Sequence, residues 1–508
     1  MAFYVTTPIY YVNAEPHLGH AYTTIVADAL ARFHRLMGEE TRFQTGTDEH
    51  GDKVLEAAAK AGLSVQDFVD RISDPFRRTW DELGISYDVF VRTTQPSHVK
   101  VVQEILDRLY QQGDIYFGEY GGLYCFGCER FYLERELEDG QCPDHRKPPT
   151  FIKEENYFFR MSRYQEWLLG YIEDYPDWIS PERYRNEVLG FLREPLEDLC
   201  ISRPKQRLSW GIPLPFDDRY VSYVWFDALL NYLTGLGYPH GADYRKFWPE
   251  AHHLIAKDIL KPHAIYWPTM LKAAGIAPFR QLHVHGYWQI AAGKMSKSLG
   301  NVVEPLALVE KYGIDQVRYF FLREMVYGLD ATFSEEALRS RINADLANDL
   351  GNLFARSLGM AFKYRGGTVP APQDLEALDR EVAEQARETA ADFLRLFPEL
   401  EFPKALARVW ELVGHLNRYI VATAPWELAK DPAGQPRLDT VLYHLLEGLR
   451  FLAVLLRPVM PASTRRMGHH LGLESSWQNR TFPELLQWGG LPPKALLSPS
   501  KALFPRLE

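Results

Sequence analysis

A short apolar run at Phe3–Thr7 predicts a buried strand, and from Pro16 onward Ile25, Ala29, Leu30, Phe33 and Met37 recur at helical spacing until Gly38. Thr41–Thr45 reads as the next strand. A helix near Gln66–Leu83, a strand near Asp88–Thr93 and a helix near His98–Gln112 continue the alternation, which predicts a parallel, doubly wound sheet. At Gly113 the pattern breaks into Gly- and Cys-bearing turns and returns only near Tyr220. Strands at Val221–Trp225, His253–Ala256 and Gln281–His285, with a helix at Pro262–Ala274, are expected to complete the same sheet. Beyond Ser334 strand signals vanish, and Glu335–Tyr364, Leu375–Phe397, Lys404–Ala424 and Thr440–Leu456 carry long helical periodicity broken by Gly366–Gly367, Pro403 and Pro425.

The expected fold class is therefore α/β: a split, Rossmann-like, doubly wound parallel sheet with an insertion, followed by an α-helix bundle. Its boundaries read as 1–113 and 220–290 for the two halves of the sheet, 114–219 for the insertion, 291–334 for a connecting region, 335–491 for the bundle and 492–508 for a tail. A chain of 508 residues has room for several domains of roughly 100–200 residues each. Hydrophobic residues at 46% and charged residues at 24% are ordinary for a folded protein and exclude a disordered one. No apolar run reaches the length of about 18 residues that a membrane span needs, so no membrane partner is expected. The start, MAFYVTTPIYY, shows neither a basic region nor a small-residue cleavage site, and four cysteines in so long a chain suit a reducing cytosol. A cytoplasmic location is expected. The net charge of −10 argues against a surface uniformly attractive to nucleic acid and permits a local basic groove.

His17-Leu18-Gly19-His20 falls where the first strand hands over to the first helix, at the sheet edge where doubly wound folds place ligands. Helix-start amides and two imidazoles suit a polyphosphate, although such a short match also arises in purely structural settings. Lys294-Met295-Ser296-Lys297-Ser298-Leu299-Gly300 puts two lysines and two hydroxyls into a Gly-bounded loop, either a cationic clamp for phosphates or a solvated basic turn. No Walker loop, GxGxxG or GxSxG occurs, so phosphates would need another cradle.

Cys125-x-x-Cys128 followed by Cys142-x-x-His145 sets three thiolates and an imidazole at spacings that close a tetrahedral zinc site. Four protein ligands leave no open position. One zinc per chain is expected, structural in role, holding together an insertion poor in core residues, with Cys200 left outside it.

The two phosphate motifs, in this order around a split sheet, resemble the signatures of the class I aminoacyl-tRNA synthetases. Pro8-Ile9-Tyr10-Tyr11-Val12-Asn13, Thr45-Gly46-Thr47-Asp48-Glu49-His50-Gly51, Tyr223-Val224-Trp225-Phe226-Asp227-Ala228 and Ala424-Pro425-Trp426 narrow the likeness to the methionyl-tRNA synthetase family, over essentially the whole chain. The one-knuckle insertion is similar to that of a subgroup of the same family.

That resemblance implies an enzyme that activates L-methionine with ATP, accompanied by Mg²⁺, and transfers it to the 3′ end of tRNA(Met). It assigns His17, Gly19, His20, Lys257, Asp258, Lys294, Met295, Ser296, Lys297 and Ser298 to ATP, with His17, His20, Lys294 and Lys297 catalytic. It assigns Ile9, Tyr11, Asp48, Trp225, Ala228, Tyr232 and His285 to methionine, and Asn352, Arg356 and Trp426 to the anticodon. The residues alone leave alternatives open: Asp48 reads as a helix N-cap, Trp225 as core within an apolar strand, and Asn352 with Arg356 as a solvated helix face. Trp426 reads either as an exposed stacking platform or as a buried plug. A soft thioether is best read by aromatic walls with a few polar edges, which the methionine set supplies. The family usually has Gly-Lys-Asp where this chain reads Ala256-Lys257-Asp258, and a small change in ATP contact is expected. A monomer is expected, and a dimerising or tRNA-binding appendage of some relatives is absent after Glu508. The competing functions are another class I synthetase, such as the cysteinyl type with thiolates at the amino-acid pocket, and a non-catalytic tRNA-binding paralogue.

Overall fold

The computed structural model describes residues 2–12, 15–128, 130–132, 134–143, 146–290, 293–294, 303–473, 477 and 479–507, with the backbone alone at 120, 130, 131, 135, 290, 293 and 294. The chain divides into two compact units: Ala2–Ala27 with Arg42–His285, and Asp28–Thr41 with Gly286–Glu508.

The first unit is built on a seven-stranded sheet. Its order runs Val89–Arg92, Glu40–Asp48, Ala2–Thr6, Ala251–Ala256, Gln281–His285, Ile179–Ser180, with Tyr10–Tyr11 adding a short strand beside Glu40–Asp48. The registered pairs of this sheet are parallel, including Thr6 with His253 and Ala256 with His285. Tyr4, Val5, Leu254, Ile255, Leu282 and Val284 are fully buried, as expected of strands covered on both faces. The strand order reverses between Ala2–Thr6 and Ala251–Ala256. Ligands of doubly wound sheets bind at such a reversal, outside the carboxyl ends of the strands.

Two sequence expectations are corrected here. The strand expected at Val221–Trp225 does not join the parallel sheet: Asp217–Ser222 pairs antiparallel with Ser202–Pro204 and Pro213–Leu214, and Val224–Leu229 is a helix that carries Trp225. A short apolar run looks alike in a buried strand and a buried helix turn, and only packing separates them. Second, the insertion returns Ile179–Ser180 to the parallel sheet, alongside Leu282 and His283. Two residues are too few to show any periodicity.

The insertion also holds a four-stranded antiparallel sheet of Ile115–Cys125, Arg130–Tyr132, Thr150–Phe159 and Leu199–Cys200, and two helices, Gln165–Asp174 and Glu182–Phe191. The second unit is mainly helical, with long helices at Ala377–Leu396, Phe402–Thr423 and Gln435–Leu455. Within it Arg318 and Asp28, both fully buried, pair at 2.6 Å, and Arg318 also donates to the carbonyls of Val459 at 3.0 Å and Pro458 at 3.2 Å. Among the described residues no helix is long and apolar enough to cross a membrane.

Candidate active site

His17 immediately precedes the Leu18–Leu36 helix and folds its ring back over the helix start. Its Nδ1 accepts from the amides of Gly19 at 3.1 Å and His20 at 3.4 Å, while His20 Nδ1 accepts from the amide of His17 at 3.4 Å. Two orphan amides of the helix terminus are thereby capped, and each neutral ring keeps its proton on Nε2. The rings stack at 3.6 Å between centroids, so charging both at once would be costly. Gly19 makes this possible, because a Cβ there would meet His17 Cε1 at 3.0 Å. Tyr10 supports the other ring, 4.8 Å from His20, and exchanges a 2.7 Å hydrogen bond with Thr24.

Asp48 closes the adjacent strand, Glu40–Asp48, and is buried. It does not cap a helix: the next one, Asp52–Ala61, has Gly51 at its N-cap. The motif around it is locked by hydrogen bonds. Arg92 grips the fully buried Glu49 through Nε at 2.6 Å and Nη2 at 3.0 Å, Thr47 donates to the same carboxylate at 2.7 Å, and Trp210 donates to the Glu49 carbonyl at 2.6 Å. Gly46 is required by close strand packing, since a Cβ would lie 2.1 Å from the Val91 carbonyl oxygen. His50 then reaches across to Asp227 at 2.7 Å, joining the TDEHG and YVWFDA segments.

Trp225 is half-buried and meets His263 edge-on at 6.3 Å. The buried Tyr232 donates its hydroxyl to His263 Nε2 at 2.7 Å, while His263 Nδ1 donates to the Ile259 carbonyl at 2.9 Å. Burial pushes His263 down to about 4, so the ring is neutral at pH 7 with its tautomer set by these bonds. His263 was not among the residues that the sequence reading selected. It lies five residues beyond Asp258 in a helical turn, and only its packing against Trp225 and Tyr232 reveals it. His285 Nε2 shares a 2.8 Å hydrogen bond with Thr23, which also donates to the Gly19 carbonyl at 3.1 Å. Ile9 and Tyr11 are half-buried, Ala228 is buried, and Lys53 lies 5.6 Å over the Tyr11 ring.

Lys257 and the exposed Asp258 form a single tight turn directly after Ala251–Ala256. Ala256 has φ −83° and ψ 155°, an extended conformation open to any residue, so alanine in place of the family's glycine meets no backbone strain. The side chain of Lys294, and Met295, Ser296, Lys297 and Ser298 entirely, lie outside the described residues.

The carboxyl ends of neighbouring parallel strands thus bring the histidine pair, Asp48 and the Lys257–Asp258 turn to one edge of the sheet. The family described as tRNA synthetases class I (M) matches residues 3–148 and 145–358. A methionine–tRNA ligase of Caldanaerobacter subterraneus subsp. tengcongensis is 46% identical over 508 residues, spanning all of this chain and 79% of the relative. That of Deinococcus radiodurans is 47% identical over 513 residues, spanning all of this chain and 74% of the relative. The chain belongs to the methionine–tRNA ligase family. Among solved structures, Mycobacterium tuberculosis methionyl-tRNA synthetase in complex with methionyl-adenylate superposes with a TM-score of 0.94 at 43% identity, covering 99% of this chain and 100% of that one.

In this member of the methionine–tRNA ligase family, Cys125, Cys128 and Cys142 bring their sulfurs within 4.8 Å of one another, a donor set that could hold a metal ion. A tetrahedral site with bonds of about 2.3 Å spaces its sulfurs by roughly 3.8 Å, so the cluster fits zinc. Cys128 and Cys142 lie 3.3 Å apart, and the buried Tyr132 hydroxyl sits 2.9 Å from the first sulfur and 3.4 Å from the second. His145 lies outside the described residues. In the second unit Asn352 and Arg356 are exposed on the Asn352–Arg365 helix. Trp426, in the short Pro425–Leu428 helix, keeps 41% of its surface exposed and is no buried plug.

Proposed function

We propose that this aminoacyl-tRNA ligase couples methionine to tRNA(Met) through a methionyl-adenylate, with the chemistry on the sheet edge just described. The observation that carries the reading is the convergence of the His17–His20 pair, Asp48 and the Lys257–Asp258 turn beyond the carboxyl ends of adjacent parallel strands. Asp48 pairs with the methionine ammonium, and Trp225, Tyr232, Ala228, Ile9 and Tyr11, with His263 added from the packing, wall the thioether. The methionine carboxylate attacks the α-phosphorus of ATP, pyrophosphate leaves, and the terminal ribose hydroxyl of the tRNA then takes the methionyl group from AMP. Gly19 lets His17 fold over the helix start, and His17 and His20 donate from Nε2 to charge on the transferring phosphoryl group. Lys257 and Asp258 contact the nucleotide, while Lys294, Met295, Ser296, Lys297 and Ser298 clamp the departing pyrophosphate. Mg²⁺ enters with the ATP phosphates and offsets their charge. His285, hydrogen-bonded to Thr23 beside the start of the phosphate-binding helix, completes the methionine set.

Cys125, Cys128, Cys142 and His145 hold one structural zinc. The insertion as a whole contributes Phe159, Leu168, Trp178 and Val188 to a large core, contrary to the expectation of a core-poor insertion. It is the knuckle, with only Cys125, Tyr132 and Cys142 in its own buried cluster among the described residues, that the metal would cross-link. The single Tyr132 hydroxyl hydrogen can be donated to Cys128, the nearer sulfur at 2.9 Å, so Tyr132→Phe should weaken zinc binding by roughly 10–100-fold in competition with a chelator. An unchanged affinity would remove the hydroxyl from the site. The three cysteines cluster within one insertion, whereas a cysteinyl-type enzyme needs its zinc ligands gathered at the amino-acid pocket. We take the protein to be cytoplasmic and to act as a monomer.

Asn352, Arg356 and Trp426 read the anticodon, Trp426 by stacking on an unpaired base. Pyrophosphate exchange into ATP, run with each standard amino acid separately, tests the whole reading: only methionine should support strong exchange. Trp426→Ala should leave that exchange near the parent level while costing about 1–3 kcal/mol of tRNA interaction in charging assays. Equal losses in both assays would mean that the tryptophan is not an anticodon contact.

A further inference from the structure

The YVWFDA segment contains a carboxylate that substrate binding leaves unused. Asp227 is fully buried, and each of its oxygens faces an imidazole: His50 Nδ1 lies 2.7 Å from Oδ2 and His98 Nε2 2.9 Å from Oδ1. Three separate segments meet there. His50 follows Asp48 by two residues, Asp227 lies between Trp225 and Ala228 on the Val224–Leu229 helix, and His98 stands in the first turn of the Pro96–Gln111 helix.

Hydrogen bonds hold His98 from both sides. Its Nδ1 lies 3.1 Å from Thr234 Oγ1, and Thr234 also donates to the Leu230 carbonyl at 3.0 Å, so the ring is pinned between that helix turn and the carboxylate. Burial opposes ionisation of Asp227, but the two imidazoles outweigh it and hold the carboxyl below the usual carboxylate range.

A buried polar cluster is a weak stabiliser compared with an apolar filling of the same volume. Its directional bonds do something that an apolar filling does not: they set distances between the parts that carry them. We propose that Asp227 and His98 are positioning residues for the amino-acid pocket, fixing the end of the strand that carries Asp48 against the helix that carries Trp225 and Ala228, with His50, in the segment just after that strand, as the link. The proposal rests on the assignment of Asp48 and Trp225 to methionine, and its test keeps the two apart.

The measurement is methionine-dependent pyrophosphate exchange, with KM for methionine and for ATP determined separately. His98→Ala should raise KM for methionine about 10-fold or more while KM for ATP stays within about two-fold, because the phosphate contacts lie on other segments. His98→Gln, which keeps a donor near the Nε2 position, should recover most of the loss. Should His98→Ala prove insoluble, Thr234→Val decides in its place: it removes the hydroxyl that bonds His98 Nδ1 and should raise KM for methionine at least about three-fold. Asp48→Asn is the control. If it raises KM for methionine while the His98 and Thr234 variants do not, the inference fails and the pocket stands; if it leaves that KM unchanged, the pocket assignment fails and the inference with it. Equal rises in both KM values, or a loss confined to kcat, likewise overturn the positioning role.

Discussion

Replacing His20 with alanine slows adenylate formation about 10²–10³-fold, with methionine and ATP binding nearly intact, in single-turnover measurements of pyrophosphate release. The size follows from what the ring offers. With Nδ1 accepting from the His17 amide, the proton is on Nε2, so the ring donates without any reorganisation at the moment of reaction. The charge it meets grows on the phosphoryl oxygens as pyrophosphate departs, so the loss belongs to the transition state and not to ground-state binding. Its mate His17 holds two backbone amides as well as its own donor, so His17→Ala should add a loss of helix-start order to a similar loss of rate. His20→Gln restores a donor on a more flexible stem and should recover part of the rate. A single-turnover rate unchanged in His20→Ala would remove the stacked pair from the mechanism.

Asp48→Ala is expected to lower kcat/KM for methionine by roughly 10²–10³, mostly through KM, and to leave KM for ATP within about two-fold. Truncating one member of a desolvated, hydrogen-bonded charge pair typically costs about 2–5 kcal/mol. Asp48 meets that condition, being buried at the end of Glu40–Asp48 with its neighbours Thr47, Glu49 and His50 already committed to other partners. The ammonium of methionine would be left buried without a counter-charge. An analogue lacking the amino group offers the complementary check: it should bind the parent poorly and lose nothing further in Asp48→Ala. If the substitution instead lowers the unfolding midpoint sharply with methionine KM unmoved, the carboxylate is structural.

What the sequence determined by itself was whatever depends on local pattern. The alternation of Phe3–Thr7, the Pro16-initiated helix and Thr41–Thr45 was enough to place the first half of a parallel sheet, because apolar spacing and Pro/Gly punctuation act within a few residues. The bundle was legible for the same reason, its long helices each exceeding several turns of repeat. The thiolates of Cys125, Cys128 and Cys142 announced themselves by spacing, since metal-ligand geometry constrains chain length between donors.

Only the tertiary structure could decide features made by residues far apart in the chain. Val221–Trp225 is too short an apolar run to choose between strand and helix; packing put Val221 and Ser222 in a strand beside Ser202–Pro204 and Val224 with Trp225 in a helix. His263 carries no signal of its own, a lone histidine in an apolar helix, until Tyr232 and Trp225 are packed beside it. Asp227 looked like one polar letter in an aromatic motif; its role depends on His50 and His98, 177 and 129 residues away, which local propensity cannot connect. Short-range pattern is written into each segment, whereas burial, protonation and the meeting of charged groups arise only when the segments pack.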